Sequence, residues 1–535
     1  TRFERLSDEI LTAAFDFYPT WAARLGLHAY DGRLGSFNPS ALDARLRTIR
    51  EHERALREFP SDGLSPRQRV DRELLLSFLE RERFDLEDLR SFQRNPLAYA
   101  DALDVTLYVK REYAPLEQRA AALTEHLRRR NLEPHCPRPF VTTALEMFTG
   151  GLDFLRDQLP TAVRDVSPPV RAHLEDAWSA AVEAVAAFVG FLRDELLPRA
   201  TDEFALGPDL YRRMLWAGER IDVDLESLRR RAEEELGRLE GQLEEATRRA
   251  DPHRPPGDVV RSLCREHPAE GELIGCVQSI LAELRQFLHR NPVVTVPEPS
   301  DCRVEPTPPF LRWAFAMMDT AGPFEEQEVA SFYYVTLPDP AWSPEEKEAW
   351  LSRFDVHTLR NTSVHEAYPG HHVHFLRLRQ VPSRVGKALT SYAFVEGWAH
   401  YCEEMMLEAG YGDGDPKLRV AQLIDALVRA VRFRASLGLH TEGWTLEQAA
   451  RRFVEDAYLE PLPALKEAER GSFDPGYLSY TLGKQLLKDL RAEWERRLGN
   501  VFRLRDFHDR LLDLGAPPVP VARRVLLGEA GPQVP

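Results

Sequence analysis

Apolar residues recur at helical spacing through most of the first 250 positions. Near the start, Leu6, Ile10, Ala13, Ala14 and Phe17 share one face of a 3.6-residue repeat. Ser65-Pro66 with Gln68 is a helix start: a capping serine, a proline in the first turn and an amide three residues on. The helix it opens is expected to run from Val70 to about Arg90, and another is expected over Pro169–Leu196. Leu225–Arg249 is dense in Glu and Arg at close helical spacing, Glu226 with Arg230 among them, as on a solvated helix face. No internal repeat recurs at a fixed period.

The pattern changes after position 250. Asp251-Pro-His-Arg-Pro-Pro-Gly257 breaks the helical run, and 291–309 is rich in proline, read as a short strand, a turn and a second strand at Cys302–Glu305. This stretch marks the expected boundary between an N-terminal helical half, 1–290, and a C-terminal half, 291–535, within one continuous body. Ser331–Leu337 reads as a strand, aromatic and β-branched and closed by Pro338. Ser343-Pro344-Glu345-Glu346 opens a helix with a capping box. Further helices are expected from near Val356, from Thr390 or Ser391 to Gly410, and from Thr445 with Gln448. The chain then stays helical to about Leu514, ahead of a proline-rich tail. The expected fold class is mainly α, a large helical body with a small β element.

Composition narrows the function classes. The 535 residues are 43% hydrophobic and 29% charged, an ordinary globular balance. A net charge of −16 argues against nucleic acid as the main partner, because phosphate binding needs a basic face. Cys136, Cys264, Cys276, Cys302 and Cys402 are odd in number and form no Cys-x-x-Cys pair, so neither a disulfide framework nor a zinc knuckle is expected. Reduced thiols fit a cytoplasmic location. The N-terminus has no apolar signal core, although a start other than Met leaves room for a removed leader. The apolar stretch around Ala180–Leu192 is too short to span a bilayer, so no membrane partner is expected.

One stretch carries most of the chemistry: His365-Glu366-Ala367-Tyr368-Pro369-Gly370-His371-His372. Histidine followed at once by glutamate, with more histidine close behind, is the arrangement of a zinc hydrolase. The histidines hold the metal, and the glutamate is placed to take a proton from an attacking water. The usual helical form has its ligands at i and i+4, but i+4 from His365 is Pro369, which cannot ligate. His371 would lie about 120° off the face of His365, and His372 would return to that face about 10 Å further along the axis. A regular helix therefore cannot run through the motif. Pro369 and Gly370 are expected to break or bulge it. A bulge would bring His371 to the second ligand position, with His372 as the alternative. Glu396, in Glu396-Gly-Trp-Ala-His-Tyr401, lies 25 positions beyond His371 and supplies an anionic third ligand. His400, four residues on, shares its face as a supporting or buried structural histidine. Two histidines and a carboxylate favour Zn2+, one per chain, though cobalt or manganese suit the same donors.

These motifs resemble the bacterial DUF885 family of predicted zinc metallopeptidases, similar in architecture to the helical gluzincin peptidases. Pro19-Thr-Trp-Ala-Ala-Arg-Leu-Gly-Leu-His-Ala-Tyr30, Gly438-Leu-His440 with Gly443-Trp444, and Asp474-Pro-Gly-Tyr-Leu-Ser-Tyr-Thr-Leu-Gly-Lys484 extend the resemblance over nearly the whole chain. It implies His365, His371 and Glu396 as metal ligands and Glu366 as catalytic base. Tyr480 and His440 become candidate donors to the oxyanion. Ser436 stands where many relatives carry an acidic residue four positions before that histidine. Arg432 and Arg434 are placed to bind a substrate carboxylate or, preferably, to make structural ion pairs. The implied architecture is a helical body with a deep active-site cleft, in which Phe332–Leu337 is an edge strand that binds extended peptide. The expected function is a zinc-dependent metallopeptidase acting on short or unfolded peptides. The alternatives are a non-catalytic helical binding protein with a degenerate metal site, which has no use for Glu366, and a zinc amidase acting on a non-peptide amide.

Overall fold

Helices begin where the capping residues stand. Ser65, Ser343 and Thr445 each accept from the backbone N–H three residues on, and Gln68, Glu346 and Gln448 complete reciprocal capping boxes. Ser391, not Thr390, caps the helix that carries Glu396. The computed structural model describes residues 1–103, 116–128, 130–162, 168–307, 315–326 and 330–528. The protein is mainly α, with one three-stranded sheet among these residues. Two expected helices are regular at Pro66–Arg83 and Pro168–Phe191 and finish in π-helical turns. The proline-rich tail holds a helix the pattern missed, Val519–Leu527, because its prolines sit before and inside the first turn, where no N–H is needed. No helix among the described residues is long and apolar enough to cross a membrane. All five cysteines are free thiols.

The chain forms two compact units. The first runs from Thr1 to Phe204 and takes in a later stretch, 321–326 among the described residues; the second holds the other described residues from Ala205 on. The boundary expected at 291–309 therefore falls about ninety residues earlier. The reason is the charged helix Leu225–Ala250 (α1). Leu228, Ala232, Leu236, Leu239 and Leu243 form a buried seam along it, and it packs on Pro416–Thr441 (α5) of the second unit. Its charged face remains, with Arg231 reaching Gln485 and Asp489. In the first unit, the Pro19–Tyr30 segment forms a short helix and a 3-10 turn. There His28 lies between Asp31 and Glu325.

In the second unit the sheet consists of β1 (Cys302–Pro306), β2 (Ala316–Asp319) and β3 (Ser331–Val335), in the order β1-β3-β2. The expected edge strand is thus the central one. β1 pairs with it in parallel, and β2 covers its other side antiparallel, with Met318 opposite Tyr333. Ala-Met-Met-Asp has neither β-branched nor aromatic residues, so the strand that covers this edge carries no local signal. Of the two strands expected within 291–309, only the second forms among the described residues, as β1.

The remaining helices that build the site are α2 (Val356–Glu366), α3 (His371–Gln380), α4 (Tyr392–Glu408) and α6 (Ser479–Leu498). α4 and α6 cross at two glycines. A Cβ on Gly397 would stand 2.6 Å from the Gly483 backbone, and one on Gly483 would stand 2.0 Å from the Ala393 carbonyl oxygen. That approach seats Lys484 of α6, fully buried, 3.1 Å from Glu235 and 3.4 Å from Glu404. Burial raises both carboxyls. Arg238 and Lys484 reverse this at Glu235 and lower it to about 2, and Lys484 with Lys488 hold Glu404 well below its ordinary range.

Lys484→Met leaves two carboxylates without their buried cation and is expected to cost about 3 kcal/mol of stability at pH 7 in urea unfolding. Depressed folded-state pKa values stabilise the fold above about pH 4.5, and that stability is lost as pH falls toward 2. The gap between wild type and variant should therefore narrow below pH 4.5.

Candidate metal centre

The site begins with the end of a helix. Asp355 caps α2 through the N–H groups of His357 and Thr358, and the helix stops at Glu366, directly after His365. The chain then folds back on itself. Ala367 and Tyr368 donate to the Ser363 carbonyl, and Gly370 donates to Val364. A Cβ on Gly370 would stand 1.8 Å from the His365 carbonyl oxygen, so only glycine fits this turn. α3 begins at the next residue. The expected bulge is thus a full break between two helices. Trp398 Nε1 donates to the Pro369 carbonyl at 3.0 Å, and the Tyr368 hydroxyl donates to the Ser300 carbonyl, so the turn is held from both sides.

The break brings the two imidazoles together, with ring centroids 4.8 Å apart at 90°. Glu396 of α4 meets both: its Oε2 is 3.7 Å from His365 Nε2 and 3.5 Å from His371 Nε2. His365, His371 and Glu396 offer ligand atoms that all lie within 4.8 Å of one another, and they form the one such group among the described residues. His372 turns away, with its Nε2 3.1 Å from the Ser300 carbonyl. Of the two candidate histidines, His371 is the one that faces the cluster.

The donor set fits a divalent metal. Tetrahedral bonds of about 2.0–2.1 Å set ligand atoms roughly 3.3 Å apart, close to the 3.5 and 3.7 Å between Glu396 and the two imidazoles. Among the described residues, the buried Glu396 Oε2 has no hydrogen-bond partner, an orphan acceptor at the centre of the group. Burial raises this carboxyl, but the two imidazoles more than reverse that and hold it well below its ordinary range.

Behind the ligands stands Glu403, one turn past His400 and fully buried. Its Oε1 is 2.7 Å from His365 Nδ1, which fixes the ring so that Nε2 faces the cluster. Arg429 of α5 pairs with the same oxygen at 3.2 Å, and His400 Nδ1 and Asn361 Nδ2 reach the other at 3.3 Å. Asn361 in turn donates to Asp425 at 2.6 Å. Burial pulls the His365 imidazole down, but Glu396 and Glu403 outweigh it and raise it to about 9. Two carboxylates on one buried imidazole call for a cation there. Glu403, Arg429, Asn361 and Asp425 belong to no motif in the sequence. Glu403 left a trace, seven residues from Glu396 and so on the same face of α4; Arg429 lies on a separate helix and left none.

Glu366 is half-buried at the end of α2, near enough to the Tyr333 hydroxyl of β3 to add to the upward shift that burial causes there. Tyr480 of α6 lies against neighbours of the cluster. Its ring makes an edge contact with Tyr392, one turn ahead of Glu396, and has Arg432, Arg470 and Arg429 around it at 5.1, 5.7 and 5.9 Å. The structure does not bring His440 into this group. It lies eleven residues beyond Arg429 on α5, about 16 Å along the axis. Its Nε2 is 2.8 Å from the Gly471 carbonyl, and burial lowers it to about 4. Ser436 meets the Tyr211 hydroxyl at 2.6 Å and donates to the Pro475 carbonyl. Arg432 is paired with Glu467 through two nitrogens, and Arg434 with Glu233 and Glu442, so both make structural ion pairs.

A family model described as "Bacterial protein of unknown function (DUF885)" matches residues 19–526. The chain belongs to this family. No curated protein matches it. Two solved structures are similar to this DUF885 protein over almost the full length of both chains. One, described as "a putative lipoprotein of unknown function" from Shewanella oneidensis, has a TM-score of 0.81 at 23% identity and covers 98% of this chain and 99% of that one. The other, described as a "putative lipoprotein" from Colwellia psychrerythraea, has a TM-score of 0.83 at 17% identity and covers 98% of each. These likenesses establish the fold.

Glu403→Gln is expected to weaken zinc binding 10- to 100-fold in competition with a chromogenic chelator. His372→Gln should leave the affinity within about threefold, since its imidazole faces Ser300. Equal losses in the two variants would contradict the assignment of His371.

Proposed function

We propose that this DUF885 protein is a zinc-dependent metallopeptidase that hydrolyses short or unfolded peptides. The observation that carries the reading is the convergence of His365 Nε2, His371 Nε2 and an orphaned Glu396 Oε2, with Glu366 adjacent in sequence to the first ligand. These three side chains would hold the ion. A zinc ion bound there supplies Lewis acidity, which makes water a nucleophile near neutral pH and polarises a carbonyl.

The other parts of the reaction fall to the chain's own residues. Glu366 takes a proton from the attacking water onto a carboxylate oxygen and later gives it to the departing amide nitrogen, so it ends the cycle unprotonated. Tyr480 has the hydroxyl suited to the carbonyl oxygen as that oxygen gains charge. Its phenol oxygen lies 3.5 Å from Arg470 Nη2, which directs the phenol proton away from the guanidinium. Glu403 keeps His365 in one tautomer, with the proton on Nδ1 and the Nε2 lone pair free to ligate. His440, bonded to Gly471, has no part in this scheme.

Location is part of the same proposal. Both solved neighbours carry the description "putative lipoprotein", which supports an exported protein in place of the cytoplasmic one expected from its thiols.

Glu366→Gln tests the chemistry. Loaded with zinc and given a mixture of short peptides, the variant should keep its metal and lose about 10³-fold in turnover, read by mass spectrometry of the products. Undiminished cleavage would remove Glu366 as the base.

A further inference from the structure

Three arginines surround Tyr480, and they differ in what they have left to offer. Arg429 is committed to Glu403 and to the Asp425 carbonyl. Arg432 grips Glu467 with Nε and Nη2. Arg470, with a side chain 31% exposed against 14% for each of the others, is the most open. Its Nε and Nη2 both donate to one oxygen, Asp474 Oδ2, at 3.2 and 3.0 Å. Nη2 also points at the hydroxyl oxygens of Tyr392 at 3.2 Å and Tyr480 at 3.5 Å. Among the described residues, Arg470 Nη1 has no acceptor.

The tyrosines add to this surplus of donors. Each phenol oxygen accepts from Arg470, so its own proton must point elsewhere. Among the described residues neither hydroxyl has an acceptor. Half-buried donors without acceptors mark a place for an anionic ligand with several lone pairs. Tyr480 O–H is assigned above to the carbonyl under attack. Arg470 Nη1 and Tyr392 O–H remain, two donors held together by one guanidinium. A carboxylate, with two oxygens, matches them.

We propose that Arg470 and Tyr392 bind the C-terminal carboxylate of a peptide substrate. This rests on the peptidase reading and gives it a direction along the chain. Tyr392 precedes Glu396 by one turn of α4, about 6 Å along the axis, and one extended peptide residue spans about 3.5 Å. The clamp therefore stands one or two residues from the scissile carbonyl. The protein releases single amino acids or dipeptides from free C-termini, and Asp474 holds the guanidinium in place for this. Arg432 and Arg434 are occupied by glutamates, as their preferred reading as structural ion pairs has it, and leave this role to Arg470.

The test uses the full-length zinc-loaded protein and a pool of N-acetylated pentapeptides, made once with free C-terminal carboxylates and once as C-terminal amides. The free acids should be cleaved with at least 30-fold higher kcat/KM, at the last or penultimate bond. Arg470→Ala should reduce that preference to about threefold or less, mainly through KM. Tyr392→Phe, which keeps the ring and removes only the O–H, should reduce it partly and guards against misfolding of the arginine variant. Equal cleavage of acids and amides by the wild type would overturn the clamp while the peptidase reading stands. Calorimetric binding of both pools to zinc-loaded Glu366→Gln reads the clamp without turnover. Preferential binding of the acids, lost in Glu366→Gln/Arg470→Ala, would uphold the clamp even if the wild type cleaved nothing, in which case the peptidase reading alone would fall. Equal binding of the two pools would overturn the clamp.

Discussion

Two carboxylates, Glu403 buried and Glu396 half-buried, meet one imidazole at His365, and the charge balance of the candidate metal centre turns on that contact. Glu403 lies on the Nδ1 side and Glu396 on the Nε2 side. Burying either anion without compensation would cost several kcal/mol. Arg429, Asn361 and His400 compensate Glu403. Glu396 has no such set: its buried oxygen faces two imidazole nitrogens at distances too long for good hydrogen bonds. A divalent cation between those three atoms would balance the second anion. A metal bound there would add to the stability of the fold, since binding to the native state alone is stabilising.

The geometry that allows this contact comes from glycine. Gly370 lets the chain reverse against the last turn of α2, which carries His371 back to the side of His365. Gly397 and Gly483 let α4 and α6 approach until Lys484 can reach Glu404 and Tyr480 can lie against Tyr392. In both places the requirement is close backbone approach; none of the three glycines has a left-handed φ. The ligand helix α4 is thus fixed along much of its length: Ser391 at its cap, Trp398 on the turn before α3, Glu403 on His365, and Glu404 on Lys484.

Much of this was legible in the sequence where local rules apply. Capping boxes, the helix break at Pro369-Gly370 and the clustering of His365, His371 and Glu396 depend on residues close in the chain or on compact motifs. Long-range packing was not legible. Helix α1 reads as a charged surface helix, yet its leucine seam ties it to α5 and moves the boundary between units to Phe204–Ala205. Strand β2 is too poor in β-formers to announce itself, so β3 was expected at an edge it does not occupy. Glu403 and Arg470 matter only through partners 38 and 10 positions away, His365 and Tyr480, and a single sequence does not show such pairings. His440 carried a motif resemblance, but α5 carries it too far from the cluster to act there.

The central claim is that His365, His371 and Glu396 bind one zinc ion. X-ray absorption at the zinc edge, on protein loaded with one equivalent and freed of excess, addresses it most directly. A first shell of four or five light atoms at about 2.0–2.1 Å, with the outer-shell signature of two imidazoles, is expected. That signature should fall to one imidazole in His371→Ala. A shell containing sulfur at about 2.3 Å, or two imidazoles retained in His371→Ala, would contradict it.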